Sequence, residues 1–168
     1  MSFFSKKLTA NELGEGLTHI FDFSYASLVS SFKGSFENQQ ITEEQDKELL
    51  VVPMLAITNA VIMTFKDSPV TEKVLERFQQ DIQKSYFNEN EAEEFIELFW
   101  QRFEECSKIP QDKNITIQFG QIFCNHFLTK NDDANEIPLG FLAGSTFMNV
   151  MIEAKKFLNE ISSQYKII

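Results

Sequence analysis

The sequence lacks most of the features that would identify a function directly. Its 168 residues include two cysteines, one tryptophan, four prolines and six glycines. It contains no glycine-rich phosphate-binding loop, no Cys-x-x-Cys pair, no Ser-x-x-Lys and no His-Glu-x-x-His motif. A non-catalytic role is therefore favoured over an enzyme, with an active site assembled from dispersed residues as the alternative. We expect no cofactor and no metal.

Long uninterrupted hydrophobic runs are also missing. The N-terminus has no apolar run of signal-peptide length, and the longest apolar stretch, "LLVVPMLAITNAVIM", is interrupted by Pro53 and Asn59. A membrane-spanning helix needs about 20 predominantly apolar residues. We therefore expect no membrane span, and we expect a cytoplasmic protein with free thiols. A Cys106–Cys124 disulfide is the alternative.

Basic residues are scarce relative to acidic ones. There are 15 lysines and arginines against 25 aspartates and glutamates, which gives a formal charge of -10. A surface of this sign repels phosphate backbones, so nucleic-acid binding is not expected. It accommodates a basic protein partner more easily. The interpretation that the charge serves only solubility is nevertheless favoured.

Phenylalanine is abundant, with 18 residues, and apolar residues recur at helical rather than strand spacing. We predict an all-α single domain over 1–168, an irregular bundle of six or seven helices with one or two central buried helices. Helix starts are indicated by three predicted capping pairs, and Pro53 should kink or divide the second helix. The one stretch that alternates like a strand is "ITIQF" at 115–119. The predicted capping pairs are Thr9 with Glu12, Thr42 with Gln45, and Asn90 with Glu93.

The segment "EAEEFIELFWQRFEEC" places Trp100 at the boundary between an apolar and an acidic helix face. Glu97 and Glu104 adjoin Trp100 at three and four residues' distance, and Glu93 lies on the same acidic face. A tryptophan bordered by carboxylates can anchor a basic, amphipathic partner. These four residues are the partner-binding candidates of a predicted adaptor, inhibitor or immunity-type protein. For Trp100 itself, a half-buried tryptophan beside a solvated charged face is favoured over a partner anchor.

Cys124 and His126 occur two residues apart in "GQIFCNHFLTKNDD". On a helix, side chains two residues apart point roughly 200° apart, so this pair should not converge on one ligand. The spacing of Phe119, Ile122, Phe123 and His126 places His126 within an apolar arc. We expect a satisfied core histidine, with a ligand-facing group as the alternative.

A second function is a carrier or sensor of an apolar small ligand in a Phe-rich helical cavity. Asn59 is surrounded by apolar residues on a helix that should be fully buried, so its amide needs a partner inside the protein. A hydrogen bond to another helix is favoured over a ligand contact. The ligand-pocket candidates are His126, Asn59, Phe119 and Phe123, whereas His19 falls on a polar face and should be exposed.

The last predicted helix, which runs to Ile161, is apolar on every side over 139–152. Gly140 and Gly144, one turn apart, would admit a close backbone or leave space for a ligand. A central helix of the bundle is favoured, and a pocket lining is one alternative. The other is a homodimer face, for which the self-association candidates are Phe141, Met148 and Ile152.

The loop "KNDDANEI" resembles the opening of a calcium-binding loop because Asn131, Asp133 and Asn135 alternate as ligands would. Glu136 occupies the position that needs glycine, and Leu142 occupies the position of the bidentate glutamate. A solvated connection between two helices is therefore favoured over a calcium site.

Overall fold

A computed structural model describes residues 6–35, 40–109, 114–128 and 136–168. Within these ranges six helices pack into one bundle, which confirms the predicted fold class. The helices are α1 (Ala10–Ser35), α2 (Glu43–Phe65), α3 (Pro69–Tyr86), α4 (Glu89–Ser107), α5 (Ile115–Phe127) and α6 (Glu136–Gln164). The loop proposed for calcium, with Asn131, Asp133 and Asn135, lies outside the described residues.

Local capping determines where α1 and α2 begin. The Thr9 backbone N–H donates to Glu12 Oε2 (2.8 Å), and the Glu12 N–H donates to Thr9 Oγ1 (3.1 Å). Thr42 and Gln45 exchange the same two bonds at the start of α2. The capping boxes predicted for α1 and α2 are therefore confirmed. Their bonds satisfy N–H groups that a helix terminus otherwise leaves unpaired.

The capping box of α4 lies two residues earlier than predicted. It is formed by Asn88 and Glu91 rather than by Asn90 and Glu93. Both pairs have the same spacing, so local chemistry does not distinguish them. The aromatic ring of Phe87, just before Asn88, stacks on Phe95 with ring centroids 4.5 Å apart.

The central helix is α2, which contacts each of the other five helices. It runs unbroken through Pro53, so of the two predicted outcomes, a kink or a division, the division is wrong. Its side chains are buried continuously over 48–58. This burial explains an apolar composition that no single face of the helix accounts for.

By length and composition alone, two of the described helices, α2 and α6, could cross a membrane. The most apolar window of α2 is 72% buried inside the bundle, as expected of a core helix, whereas that of α6 is only 39% buried. The bundle therefore accounts for the hydrophobicity of α2 but leaves much of α6 exposed.

Close backbone contact fixes the orientation of α5 against α6. A Cβ atom added to Gly120 would collide with the Gly140 carbonyl, and one added to Gly144 would collide with the Thr116 carbonyl. The buried face of α5 is consequently centred near Gly120 and includes Phe119, Phe123, Cys124 and Phe127. The strand-like alternation of "ITIQF" is overridden, because Ile115–Phe127 is helical throughout.

Two short strands join the two ends of the described chain. β1 (Lys7–Leu8) pairs in parallel with β2 (Lys166–Ile167), with Lys7 opposite Lys166. Just after β1 in the chain, the Ala10 N–H donates to the Ile168 carbonyl (3.1 Å). Strands of two residues have no readable periodicity, so the sequence did not indicate this pairing.

Candidate functional site

The outer surface of α4 carries the four partner-binding candidates in exposed positions. Glu93, Glu97 and Glu104 are exposed, and Trp100 is 45% exposed. The indole packs edge-on against Phe99 (ring centroids 5.1 Å apart) and Phe103 (5.4 Å). Trp100 is therefore held in place by the core while part of its apolar ring remains in contact with solvent.

Negative charge beside Trp100 is only partly neutralised. Glu104 pairs with Lys108 (3.0 Å), and both side chains are mostly exposed. Glu93 and Glu97 form no ion pair with any described residue. Since exposed ion pairs are weak and readily exchanged, all three carboxylates are accessible to an incoming cation.

A cleft of about 440 Å³ opens on the other side of Trp100, between α2, α4, α5 and α6. Phe103, which contacts the indole, is one of its lining residues, and Met63, 51% exposed, is another. We call it the Asn59 cleft. The other lining residues are Asn59, Ile62, Cys106, Ser107, Ile109, Ile115, Phe119, Phe147 and Met151.

The rings of Phe119 and Phe147 bring α5 and α6 together at this cleft. They stack with centroids 4.2 Å apart and planes within 18°. Both side chains are almost entirely buried. The cleft therefore has a rigid aromatic lining, with its polar groups contributed mainly by Asn59 and Ser107.

The expected hydrogen bond from Asn59 to another described helix does not form, so that prediction is wrong. The Asn59 Nδ2 donates to the Leu55 carbonyl one turn earlier in α2 (2.8 Å). This local bond satisfies one of the two amide N–H donors without any tertiary partner. No described residue donates to its Oδ1, so a hydrogen-bond acceptor remains for a molecule that enters the cleft.

Cys106 also lines the cleft, as a free thiol. Burial, reinforced by the neighbouring Glu105 carboxylate, raises its pKa to about 12. The thiol therefore stays protonated at neutral pH, whereas nucleophilic attack needs the thiolate. The Cys124 thiol is buried, and the two cysteines are not joined by a disulfide.

His126 lies outside the Asn59 cleft, and its predicted place among core aromatics is wrong. The residue is exposed, and its Nε2 is 2.8 Å from Glu105 Oε2. The glycine contact with α6 turns the buried face of α5 towards Cys124 and leaves His126 on the outside. The prediction that Cys124 and His126 point apart is confirmed.

Glu105 connects His126 to a buried ion pair. Its other oxygen is 3.5 Å from Arg102 Nη1, and Arg102 Nη2 is 2.6 Å from Glu48 Oε1. The side chains of Arg102 and Glu48 are 12% and 8% exposed. These contacts join α2, α4 and α5, and they give α4 a fixed position relative to the cleft.

The remaining ligand-pocket candidate, Phe123, is buried and stacks on Phe127 (centroids 4.9 Å apart) away from the cleft. The structure thus brings Asn59 and Phe119 together but separates them from Phe123 and His126. It also adds Phe103, Met63 and Met151 from three helices. Sequence reasoning missed these residues because helix periodicity does not tell which helices are neighbours.

No protein-family model, curated protein or solved structure matches this chain.

The self-association candidates lie on an outward face of α6. Phe141 is 68% exposed, Ile152 is 55% exposed and Met148 is half-buried. The favoured expectation that this helix is buried on every side is therefore wrong. The bundle covers only the faces of α6 that meet α1, α2 and α5.

Metal ligands do not converge in the part of the chain that the structure describes, since no group of three or more His, Cys, Asp or Glu side chains could hold an ion there. His19 is exposed, as predicted, and lines a separate groove between α1 and α6.

Proposed function

We propose that this protein is a non-catalytic interaction module of the adaptor, inhibitor or immunity type that binds a basic, amphipathic segment of a partner protein. The observation that carries the proposal is the contact between Trp100 and Phe103. It makes an exposed indole, an apolar cleft and a row of exposed glutamates one continuous surface.

The arrangement around α4 fits both faces of such a segment. Successive residues of a helix are about 100° apart, so Glu93, Glu97 and Glu104 lie on one side of Trp100 and Phe103 on the other. Apolar side chains of the partner would enter the Asn59 cleft beside Trp100. Its basic side chains would then meet the glutamates, in the manner of a helix bound in a groove.

The chemistry of the cleft supports binding rather than catalysis. Its one thiol, Cys106, has a raised pKa, and its amide, Asn59, is already half satisfied by Leu55. Buried aromatic anchors supply most of the affinity in protein interfaces, while charges at the rim mainly accelerate association.

The test uses synthetic basic amphipathic peptides, with acidic peptides of the same apolar pattern for comparison. Because the chain has one tryptophan, intrinsic indole fluorescence reports on Trp100 alone. We expect the basic peptides to shift its emission to shorter wavelength and to bind less tightly as salt concentration rises. Binding that is equally tight for acidic peptides, or unchanged by salt, would contradict the proposal.

Variants separate the apolar from the charged contribution, with binding followed by calorimetry. Trp100→Ala should weaken peptide binding about thirtyfold, as expected for a central aromatic anchor worth about 2 kcal/mol. Glu93→Gln with Glu97→Gln should weaken it about tenfold at low salt and little at high salt. Glu72→Gln on α3 removes an exposed charge elsewhere and should leave binding unchanged.

A second candidate function, a carrier or sensor of an apolar small ligand, is favoured by the free Oδ1 of Asn59 in a cleft of ligand-binding size. Native mass spectrometry of the purified protein would show a co-purified molecule. That molecule should be lost in Asn59→Leu, and its binding should not depend on salt. A protein that carries nothing and binds the basic peptides would eliminate this candidate.

A further inference from the structure

A row of exposed apolar side chains runs along α6. Ile137 is 84% exposed, Phe141 68% and Ile152 55%, and Met148 lies between them, half-buried. We call these four residues the α6 ridge. The segment 137–152 contains no charged residue, although the chain as a whole carries a formal charge of -10.

The spacing of the ridge is that of a helix that packs against another helix. Phe141, Met148 and Ile152 of the ridge lie in register with the polar Ser145, at separations of four, three and four residues, which is the alternation of a coiled-coil seam. Such a seam forms a straight stripe along one side of a helix. The ridge does not line the Asn59 cleft, so it is separate from the surface proposed above for a basic partner.

A groove of about 680 Å³ lies next to the ridge, between α6 and α1. Its residues on α6 include Asn149 and Glu153, which directly follow Met148 and Ile152 of the ridge. On α1 it is lined by Phe23, whose side chain is 79% exposed. We call it the α1–α6 groove. One surface thus presents a projecting apolar stripe beside a long depression.

The juxtaposition of ridge and groove is self-complementary. A two-fold axis placed between them would seat the ridge of each copy in the groove of the other, which is the arrangement of an isologous dimer. The groove has charges of both signs, with Lys156 beside Glu153 and Glu160. The uncharged ridge brings no like charge against them, so a second copy can approach without direct repulsion at the contact.

The exposed apolar area falls within the range of the largest apolar patch on a typical monomer. Phe23 and Phe141 together leave roughly 300 Å² in water, on the usual area of a phenylalanine side chain. Adding the exposed parts of Ile137 and Ile152 raises the exposed apolar area above about 300 Å² and towards about 600 Å². These two values bound the largest apolar patch on a typical monomer. A standard interface buries roughly 800 Å² per partner, so the polar residues that border this surface would supply the rest of the contact.

We propose that the protein forms a two-fold homodimer in which the α6 ridge of each copy packs into the α1–α6 groove of the other. Because each copy carries a charge of -10, the two repel each other at long range, and salt screens this repulsion. The dimer is therefore favoured by salt. Binding of a basic partner responds to salt in the opposite direction, so the two proposals can fail independently.

The test is sedimentation equilibrium of the full chain over a range of protein concentrations, at low and high salt. We expect a monomer–dimer equilibrium that shifts at least several-fold towards the dimer at high salt. Phe141→Glu with Ile152→Glu places charges on exposed ridge positions, which leaves folding intact, and should raise the dissociation constant at least a hundredfold. Ile117→Glu, at a position on α5 that is 54% exposed and lies outside the ridge, the groove and the Asn59 cleft, should leave it unchanged.

Three results would overturn the proposal. The first is a monomer at every concentration and salt level. The second is a dimer that the ridge glutamates leave intact while circular dichroism shows that the variant is folded. The third is a monomer that binds vesicles of uncharged phosphatidylcholine through the ridge, since that would identify a lipid surface as the occupant.

Discussion

At the scale of single residues, Thr58 stands out because its buried hydroxyl forms no hydrogen bond within the described part of the chain. It lies in α2 and is fully buried, and its Oγ1 has no hydrogen-bond partner among the described residues. By contrast, the hydroxyl of Thr64 in the same helix donates to the Ala60 carbonyl (2.8 Å). An unsatisfied buried hydroxyl destabilises the folded state.

We expect Thr58→Val to increase the free energy of unfolding by about 1 kcal/mol, because valine keeps the branched shape and removes the unsatisfied hydroxyl. Urea unfolding measures the change. Thr64→Val is the matched control and should decrease stability slightly, since its hydroxyl is bonded. A loss of stability in Thr58→Val would show that the native hydroxyl has a partner after all.

The other informative residue is His126, whose environment was predicted incorrectly. The apolar pattern around it was identified correctly, yet Phe119, Phe123 and Phe127 are buried and His126 is not. Periodicity locates an apolar arc only to within about one residue's rotation. A residue at the edge of such an arc can therefore fall on either side, and here it pairs with Glu105 at the surface.

At the scale of elements, the contact between α5 and α6 is decided by glycines. Gly120 and Gly144 each face a backbone carbonyl of the opposite helix, with no space for a Cβ atom. The sequence suggested that Gly140 and Gly144 would admit either a neighbouring backbone or a ligand. The structure shows the neighbouring backbone, with Gly120 as a third participant that sequence reasoning did not consider.

Gly144→Ala should lower the free energy of unfolding by about 2 kcal/mol, because a methyl group there forces the two backbones apart. Gly34→Ala is the matched control, since no atom lies within 4 Å of a Cβ at that helical position. That change should increase stability by up to about 1 kcal/mol through helix propensity. Equal effects of the two substitutions in denaturant unfolding would refute the close-contact explanation.

At the scale of the whole molecule, the helices are tied together by hydrogen bonds from tyrosines to carboxylates. The Tyr25 hydroxyl donates to Asp46 Oδ1 (2.7 Å), joining α1 to α2, and the Tyr86 hydroxyl donates to Asp22 Oδ1 (2.9 Å), joining α3 to α1. Burial, with the bonded carboxylate second, raises the pKa of each tyrosine above the ordinary 10.0. The Cys106 pKa is raised in the same direction from 9.0.

These shifts predict that stability falls in alkaline solution. In the unfolded chain Cys106 loses its proton near pH 9 and the tyrosines near pH 10, while the folded protein still holds these protons. The folded state then binds more protons than the unfolded one, so the free energy of unfolding decreases as pH rises above about 9. We expect a decrease of about 2 kcal/mol by about pH 11, mostly from the thiol, because the tyrosines are partly solvated.

Denaturant unfolding at a series of pH values measures this decrease. The variant Cys106→Ala removes the thiol and should flatten the alkaline limb while leaving the tyrosine contribution. A stability that stays constant from neutral to strongly alkaline pH would show that neither the thiol nor the tyrosine bonds persist in solution as the structure has them.

The sequence by itself determined the all-helical class, the capping boxes of α1 and α2, the exposure of His19, and the divergence of Cys124 from His126. Each of these depends on residues within about one helical turn, where spacing alone fixes which groups meet. The exposure of the glutamates on α4 was likewise determined by the sequence alone, since amphipathicity is a property of a single helix.

Only the tertiary structure decided which helices are neighbours. It joined Asn59, Phe103 and Phe119 from three helices in one cleft, turned α5 about Gly120, and left the α6 ridge uncovered. It also paired β1 with β2 across the length of the chain. These contacts depend on the shapes of surfaces far apart in sequence, and their energies become defined only when the helices pack together.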